Sequence, residues 1–445
     1  MWALSYVSAR ITPFAALNPY ENGSFAMRIR TAGAIAASML CLIGVAACGD
    51  SKDDTKASGN PSAQAATGEL VIWADDKRSA ALKPFADKFG QENGVTVKIQ
   101  AISKDQQTTF LTASQQGSGP DVMVGAHDWI GNLVQNGAID PVQLTDAQKT
   151  GLQAGALKAV TFNSQTYGVP YATENIGLIR NTDLAPDAPA TMEDLVAAGK
   201  KLKAEKKVSE ILCLQSGPTG DAYHAYPLYA SAGGYLFGTT PSGDYDAKDL
   251  GVGKPGSVAA FEKLRALGEK GDGALKRSIS PDNAVATFTG KKCAFLVSGP
   301  WATADAKKAG IKYDITAVPG FKGGKEATPF LGVQTFYVAS KGKNKALAQE
   351  FVTNYVTTPE LAVALYQADP RPPALTSALD QVKATDPDVA KWADAGKNAV
   401  PLPAIPEMAA VWEPFGKAEA AVIGGADAQS TVDAAAKTIS AAITK

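Results

Sequence analysis

The stretch ELVIWADDKRSAALKPFADKFGQENGVTVKIQAISKDQQTTFLTASQQGSGPDVMVGAHDWIGNLVQN, residues 69–136, decides the fold. It opens on the apolar run Glu69-Leu70-Val71-Ile72-Trp73, which reads as a strand. A helical stretch over residues 79–91 follows, with apolar side chains spaced at Leu82, Phe85, Ala86 and Phe89. Residues 95–102 alternate as a strand does, residues 104–116 are helical, and Gly119-Pro120 breaks that helix. Val122-Met123-Val124 is a short third strand, after which Asp128 is expected to cap a helix reaching Asn136. Strand, helix, strand, helix, strand in this order implies a parallel sheet with right-handed crossovers and ligand groups at the strand ends.

A second α/β unit follows. Thr191-Met192-Glu193-Asp194 opens a helix in the manner of a capping box, and residues 211–214 read as a strand. Helices are expected over residues 222–232, 257–269 and 281–288, and residues 293–298 form a strand that Gly299-Pro300-Trp301 ends. The tail over residues 408–445 is Ala-rich and mostly helical, and no short-period repeat is visible.

Upstream, Arg28 and Arg30 precede an apolar run from Ala32 that ends in Val45-Ala46-Ala47-Cys48. A basic segment, a short hydrophobic core and small residues before a cysteine read as a bacterial lipoprotein signal. Residues 1–47 are then the signal region, with Met27 as the expected start of translation because Met1 to Ala26 fits no secretion logic. Cys48 would carry the lipid, and residues 48–66, rich in Ser, Asp, Lys, Gly and Gln, suit a disordered tether. The chain is expected on the extracellular face of the cytoplasmic membrane. The alternative is an ordinary secretory signal with a coincidental cysteine.

Composition bounds the rest. Basic and acidic residues nearly cancel, 43 against 44, so no electrostatic partner such as nucleic acid is indicated. The roughly 380 residues beyond the tether suit two domains rather than one core. Cys41 and Cys48 fall in the signal, which leaves Cys213 and Cys293, each in an apolar run, as a disulfide or as two buried thiols. His127 and His224 are the only histidines, and neither they nor the cysteines have metal-ligand spacing. No phosphate-cradling loop or nucleophile elbow appears. No metal and no cofactor are expected.

The chain resembles the maltose/maltodextrin-binding protein group of extracellular solute-binding proteins (family 1), the capture subunits of ABC sugar importers. The resemblance runs over residues 70–445. It rests on Leu70-Val71-Ile72-Trp73, Gly119-Pro120-Asp121-Val122, Ala126-His127-Asp128, Tyr167-Gly168-Val169-Pro170 with Glu174, and Tyr226-Pro227. It continues through Ala232-Gly233-Gly234-Tyr235, Ser298-Gly299-Pro300-Trp301, Pro329-Phe330-Leu331-Gly332-Val333 and Pro403-Ala404-Ile405-Pro406-Glu407-Met408 with Trp412. The implied fold is α/β, periplasmic-binding-protein-like type II: two α/β lobes with a hinge and an interlobe ligand cleft. Lobe one would hold residues 67–173 and 332–369, and lobe two residues 175–331 and 373–445. Crossovers would lie near Glu174, Leu331 and Arg371. The implied function is capture of maltose, maltodextrin or a related α-glucoside and its delivery, as a monomer, to the permease subunits of an ABC importer. The alternatives are another disaccharide such as trehalose or lactose, a non-sugar solute, and a surface glycosidase using carboxylates such as Glu174 and Asp128, for which no acid–base pair is identifiable.

Sugars present hydroxyls and apolar ring faces, so a site for them needs carboxylates, amides and flat aromatics. Asp76 and Lys77, after the first strand, match the family's acidic-plus-lysine turn, and Asp128 matches a sugar-binding aspartate. Glu174 lies in an otherwise neutral strand segment, where an idle charge would be costly. Asp221, Tyr223 and His224 match an acidic–aromatic cluster at a helix start, and Trp301 and Trp412 match stacking tryptophans. Trp73 and Trp392 read as core or surface residues. Glu413 stands where the family has an aromatic, and Arg371 is an extra polar group at a crossover; both join the candidate set. Gly125 stands where an aromatic would be, Trp129 where a basic residue would be, and Gly416 where an arginine would be.

Overall fold

The computed structural model describes residues 68–241 and 243–443. The signal region, Cys48 and the whole of the expected tether lie outside them. Strand β1 (Glu69–Ala74) is followed by helix α1 (Asp76–Asn93), β2 (Thr96–Ala101), α2 (Gln106–Gln115) and β3 (Val122–Ala126). Helix α1 begins three residues earlier than its apolar spacing indicates, because the Asp75 carboxylate accepts the Arg78 N–H at 3.0 Å and caps it. Asp128 caps nothing. It sits inside a 3-10 turn, His127–Trp129, that leads into the helix Ile130–Gln135 without a side-chain cap.

Further along come β4 (Val169–Glu174), β5 (Gly177–Asn181), α3 (Met192–Ala204), β6 (Cys213–Leu214), α4 (Ala222–Ser231) and α5 (Pro255–Leu267). The capping box at Thr191 is present, with Asp194 as its third residue. The last part contains β7 (Phe295–Ser298), β8 (Tyr313–Thr316), β9 (Phe330–Ala339) and α6 (Pro359–Ala368). Then follow α7 (Thr376–Thr385), α8 (Asp388–Ala395), α9 (Trp412–Ile423) and α10 (Ala428–Ile443). No helix among the described residues is long and apolar enough to cross a membrane.

Two sheets organise these elements. In the first, β1 lies between β2 and β3 in parallel, and β9 runs antiparallel to both β3 and β4. β3, between β1 and β9, is buried from Val122 to Gly125 and reads as an apolar run. In the second, the order is β8, β5, β7, β6. Each sheet packs its own helices: Leu70, Phe89, Phe110, Val333 and Phe336 centre one core, and Leu178, Phe261, Phe295, Phe415 and Ile439 another. Trp73 belongs to the first core and Trp392 to a smaller one under the second sheet. Cys213 and Cys293 form a disulfide there, Cα atoms 6.1 Å apart, which decides between the two states open to them.

The chain changes sheet between β4 and β5, at Asn175-Ile176. It changes again at the start of β9, where Phe330 belongs to the second core and Val333 to the first. The third change comes later than expected. Pro373 bridges Ala172, Leu375 bridges Leu152, and Ala374, Leu375 and Ala378 are buried in the first core. Residues 373–385 therefore belong with the first lobe rather than the second, and Trp392 on α8 is the first side chain after them buried under the second sheet.

Candidate ligand-binding site

The ends of β3 and β4, the start of β9 and the first turns of α4 and α9 bring most of the candidate residues to the junction of the two sheets. Glu174 is the last residue of β4, 8% exposed, and lies opposite Gly332 of β9. A methyl on Gly332 would sit 2.7 Å from the Glu174 Cγ and 2.9 Å from the Tyr223 hydroxyl, so this glycine makes the room in which the two meet. Gln334, two residues on, donates to Glu174 at 3.2 Å.

Asp128 is buried beside this group. Burial above all, together with the charge of Glu174, pushes its carboxyl up to about 7, against hydrogen bonds from the backbone and from Trp412. The neighbouring His127 faces the other way. Its Nδ1 accepts the Val333 N–H at 3.1 Å and its Nε2–H donates to the Leu402 carbonyl at 3.2 Å. Burial lowers it to about 4. His127 is a neutral brace tying β3 to β9 and to the segment before α9.

Asp221 caps α4 by accepting the His224 N–H at 3.0 Å, accepts again from His224 Nδ1 at 3.0 Å, and is bonded by Gln215. Burial alone would raise its carboxyl, but His224 and the Gln215 amide outweigh it and bring it to about 2. With its lone pairs so engaged, Asp221 positions His224 rather than facing a ligand directly. Among the buried side-chain polar atoms without a hydrogen-bond partner are the Tyr223 hydroxyl and His224 Nε2. Trp301 meets the His224 ring edge-on at 5.8 Å, and Gly299 supplies the space against which its indole lies.

Around the hinge lies a charge network. Arg371 ion-pairs Glu174 and Asp369, and Arg78 ion-pairs Asp75, donates to the Tyr171 hydroxyl and reaches Asp369 at 3.4 Å. The sequence pattern singled out Asp76 and Lys77 from this turn. The structure puts Asp76 on the surface against Ser103, and Lys77, 56% exposed, at 3.6 Å from Asp369. Both stand at the rim, while Arg78 turns inward. Glu413 is not at the site at all. It is 76% exposed, pairs with Lys417 and lines the outer groove between α9 and α10. Trp412 begins α9 and a step of one residue around a helix turns the next side chain by about 100°, so the two cannot share a face.

Two departures from the family pattern have steric explanations. Gly125 is required by Trp129, whose ring occupies the space a side chain at 125 would need. Gly416 is packed against the loop before α4: a side chain there would come 2.8 Å from the Thr219 carbonyl, and Gly220, at φ +74°, faces its backbone. Gln334, Asp369 and Gly332 belong to the cluster without having been singled out as ligands. A lone glutamine in the apolar strand 330–339 was the available signal for Gln334.

Comparison with known proteins gives a consistent result. The profile of the bacterial extracellular solute-binding protein family matches residues 85–397. The galactooligosaccharide-binding protein of Bacillus subtilis strain 168 is 27% identical over 412 residues, covering 90% of this chain and 95% of its own. A maltooligosaccharide ABC transporter solute-binding lipoprotein of Streptococcus pneumoniae serotype 4 is 28% identical over 87% of this chain and 90% of its own. The maltodextrin-binding protein MdxE of Bacillus subtilis is 29% identical over 85% and 89%.

Proposed function

Because the chain belongs to the bacterial extracellular solute-binding proteins, a family of binding proteins and not of enzymes, we propose that it captures an oligosaccharide between its two lobes and hands it to an ABC importer. The ligand is maltose, maltodextrin or a related α-glucoside. One observation carries the reading. The Tyr223 hydroxyl and His224 Nε2 are buried without partners beside the carboxylates of Asp128 and Glu174 and the rings of Trp301 and Trp412. Buried polar atoms are costly unless bonded, and sugar hydroxyls can donate to and accept from such a set. Glu174, Asp128, Tyr223 and His224 are the hydroxyl ligands, and Trp412 is the stacking platform.

An amino-acid ligand is disfavoured. It would need an open cation for its carboxylate, and both Arg78 and Arg371 are already paired with carboxylates. A galactoside is the second reading, favoured by the galactooligosaccharide-binding relative. Calorimetric titration with maltose, maltotriose, trehalose, lactose and sucrose separates these. The expected result is micromolar binding of an α-glucoside, about −8 kcal/mol, weakened at least about tenfold in Glu174→Gln. Absence of heat with every sugar overturns the reading.

Attachment through lipid on Cys48 completes it, supported by the residues before that cysteine and by a lipoprotein among the relatives. Cys48→Ser should move the protein from the membrane fraction to the soluble one. An unchanged distribution would rule the anchor out.

A further inference from the structure

The groups of the site form a chain from one tryptophan to the other. Trp412 hydrogen-bonds Asp128, Asp128 lies in the field of Glu174, and Glu174 ion-pairs Arg371. The guanidinium carbon of Arg371 then lies 4.8 Å from the centroid of the Trp301 ring. Arg371 reaches that ring from the first lobe, so the protein's own cation covers the face of Trp301 that looks across the junction. A pyranose stacked there would need the same space.

Arg371 is held in place from several sides. It stands between Pro370 and Pro372-Pro373, whose rings fix the backbone on either side. Its N–H donates to the Asp369 carbonyl at 2.6 Å, and the Thr173 N–H donates to the Pro372 carbonyl at 2.8 Å. Its Nε and Nη1 are turned to Glu174 and Asp369, which are 8% and 6% exposed. Moving the guanidinium aside would leave the buried Glu174 carboxylate without its cation, a loss that neutral hydroxyls cannot make good.

We propose that Arg371 is a specificity-determining residue that ends the binding site at Trp301 and limits the ligand to a short saccharide, a disaccharide rather than an extended chain. This rests on the sugar-binding reading above. It leaves Trp412 as the stacking platform, with Tyr223 and His224 serving the adjoining unit.

The test is calorimetric titration of the full chain with two length series, maltose to maltohexaose and lactose to β-1,4-galactotetraose. The unaltered protein should bind the disaccharide of its preferred series about tenfold or more tightly than the longest member. Arg371→Lys keeps a cation for Glu174 and Asp369 but uncovers the ring, and should bring the longest member to within about threefold of the disaccharide. Arg371→Ala should do so more fully where it folds. Adding Trp301→Ala to Arg371→Lys should abolish the gain for long chains, which a merely structural role for Arg371 would not do. A flat length profile in the unaltered protein, an unchanged profile in Arg371→Lys, or a gain that survives loss of Trp301 overturns this inference and leaves the sugar reading standing. Failure of both series to bind the unaltered protein overturns both.

Discussion

His127 and Asp128 are neighbours in sequence with opposite electrostatic histories. His127 is held neutral in the fold to about pH 4, so between its ordinary 6.5 and that value the unfolded chain binds more protons and stability falls on acidification. Asp128 holds its proton to about pH 7, so between its ordinary 3.8 and that value the folded chain binds more protons and stability falls as pH rises. The two slopes oppose each other from about pH 4 to 6.5. Asp128→Asn should therefore be more stable than the parent at pH 8, by an amount on the order of 2–3 kcal/mol. It should also lose stability more steeply on acidification, because the His127 slope is unmasked. Urea midpoints from pH 4.5 to 8 check both. Parallel curves for the two proteins would show that Asp128 is not the group opposing His127.

Elements explain which residues the sequence could reveal. The run from β1 to β3 was legible because periodicity and breakers agree over whole elements, and the Thr191 capping box because its two side chains are three residues apart. Phase was not legible. Which of Asp75 to Arg78 faces inward depends on where α1 starts, and Asp75 settles that by capping. Trp412 and Glu413 part company for the same reason at the start of α9. β6, Cys213–Leu214, falls within the strand read over residues 211–214, and its disulfide ties it to Cys293, two residues before the neighbouring β7. That bridge closes 80 residues, so replacing both cysteines by alanine should lower stability by about 4 kcal/mol in denaturant titration. A loss below about 1 kcal/mol would mean that the bridge adds little beyond the buried thiols it replaces. Gly332 is a second case of element geometry. Gly332→Ala should weaken sugar binding at least about tenfold, because the methyl meets Glu174 and Tyr223, 2.7 and 2.9 Å away. Unchanged affinity would place the ligand elsewhere.

At the scale of the molecule, the residues proposed to hold sugar gather where the chain passes between its two sheets. Glu174 ends the strand before the first passage, and Gly332 lies at the second. Arg371 lies on the first lobe against Glu174, braced by Asp369 and through it by Arg78. The third passage, which the family resemblance puts near Arg371, comes later because Pro373 and Leu375 bridge Ala172 and Leu152 of the first lobe. Ligand groups placed at passages couple binding to the angle between lobes, since contact with both selects one arrangement from the population. We propose that this junction binds sugar. A ligand that binds only the folded state raises its melting temperature by mass action, so the most direct test is a melting-temperature screen of the protein and Glu174→Gln against α-glucosides and galactosides. A selective rise with a disaccharide in the parent, lost in the variant, is the predicted result. A cooperative melt that no saccharide shifts would contradict it.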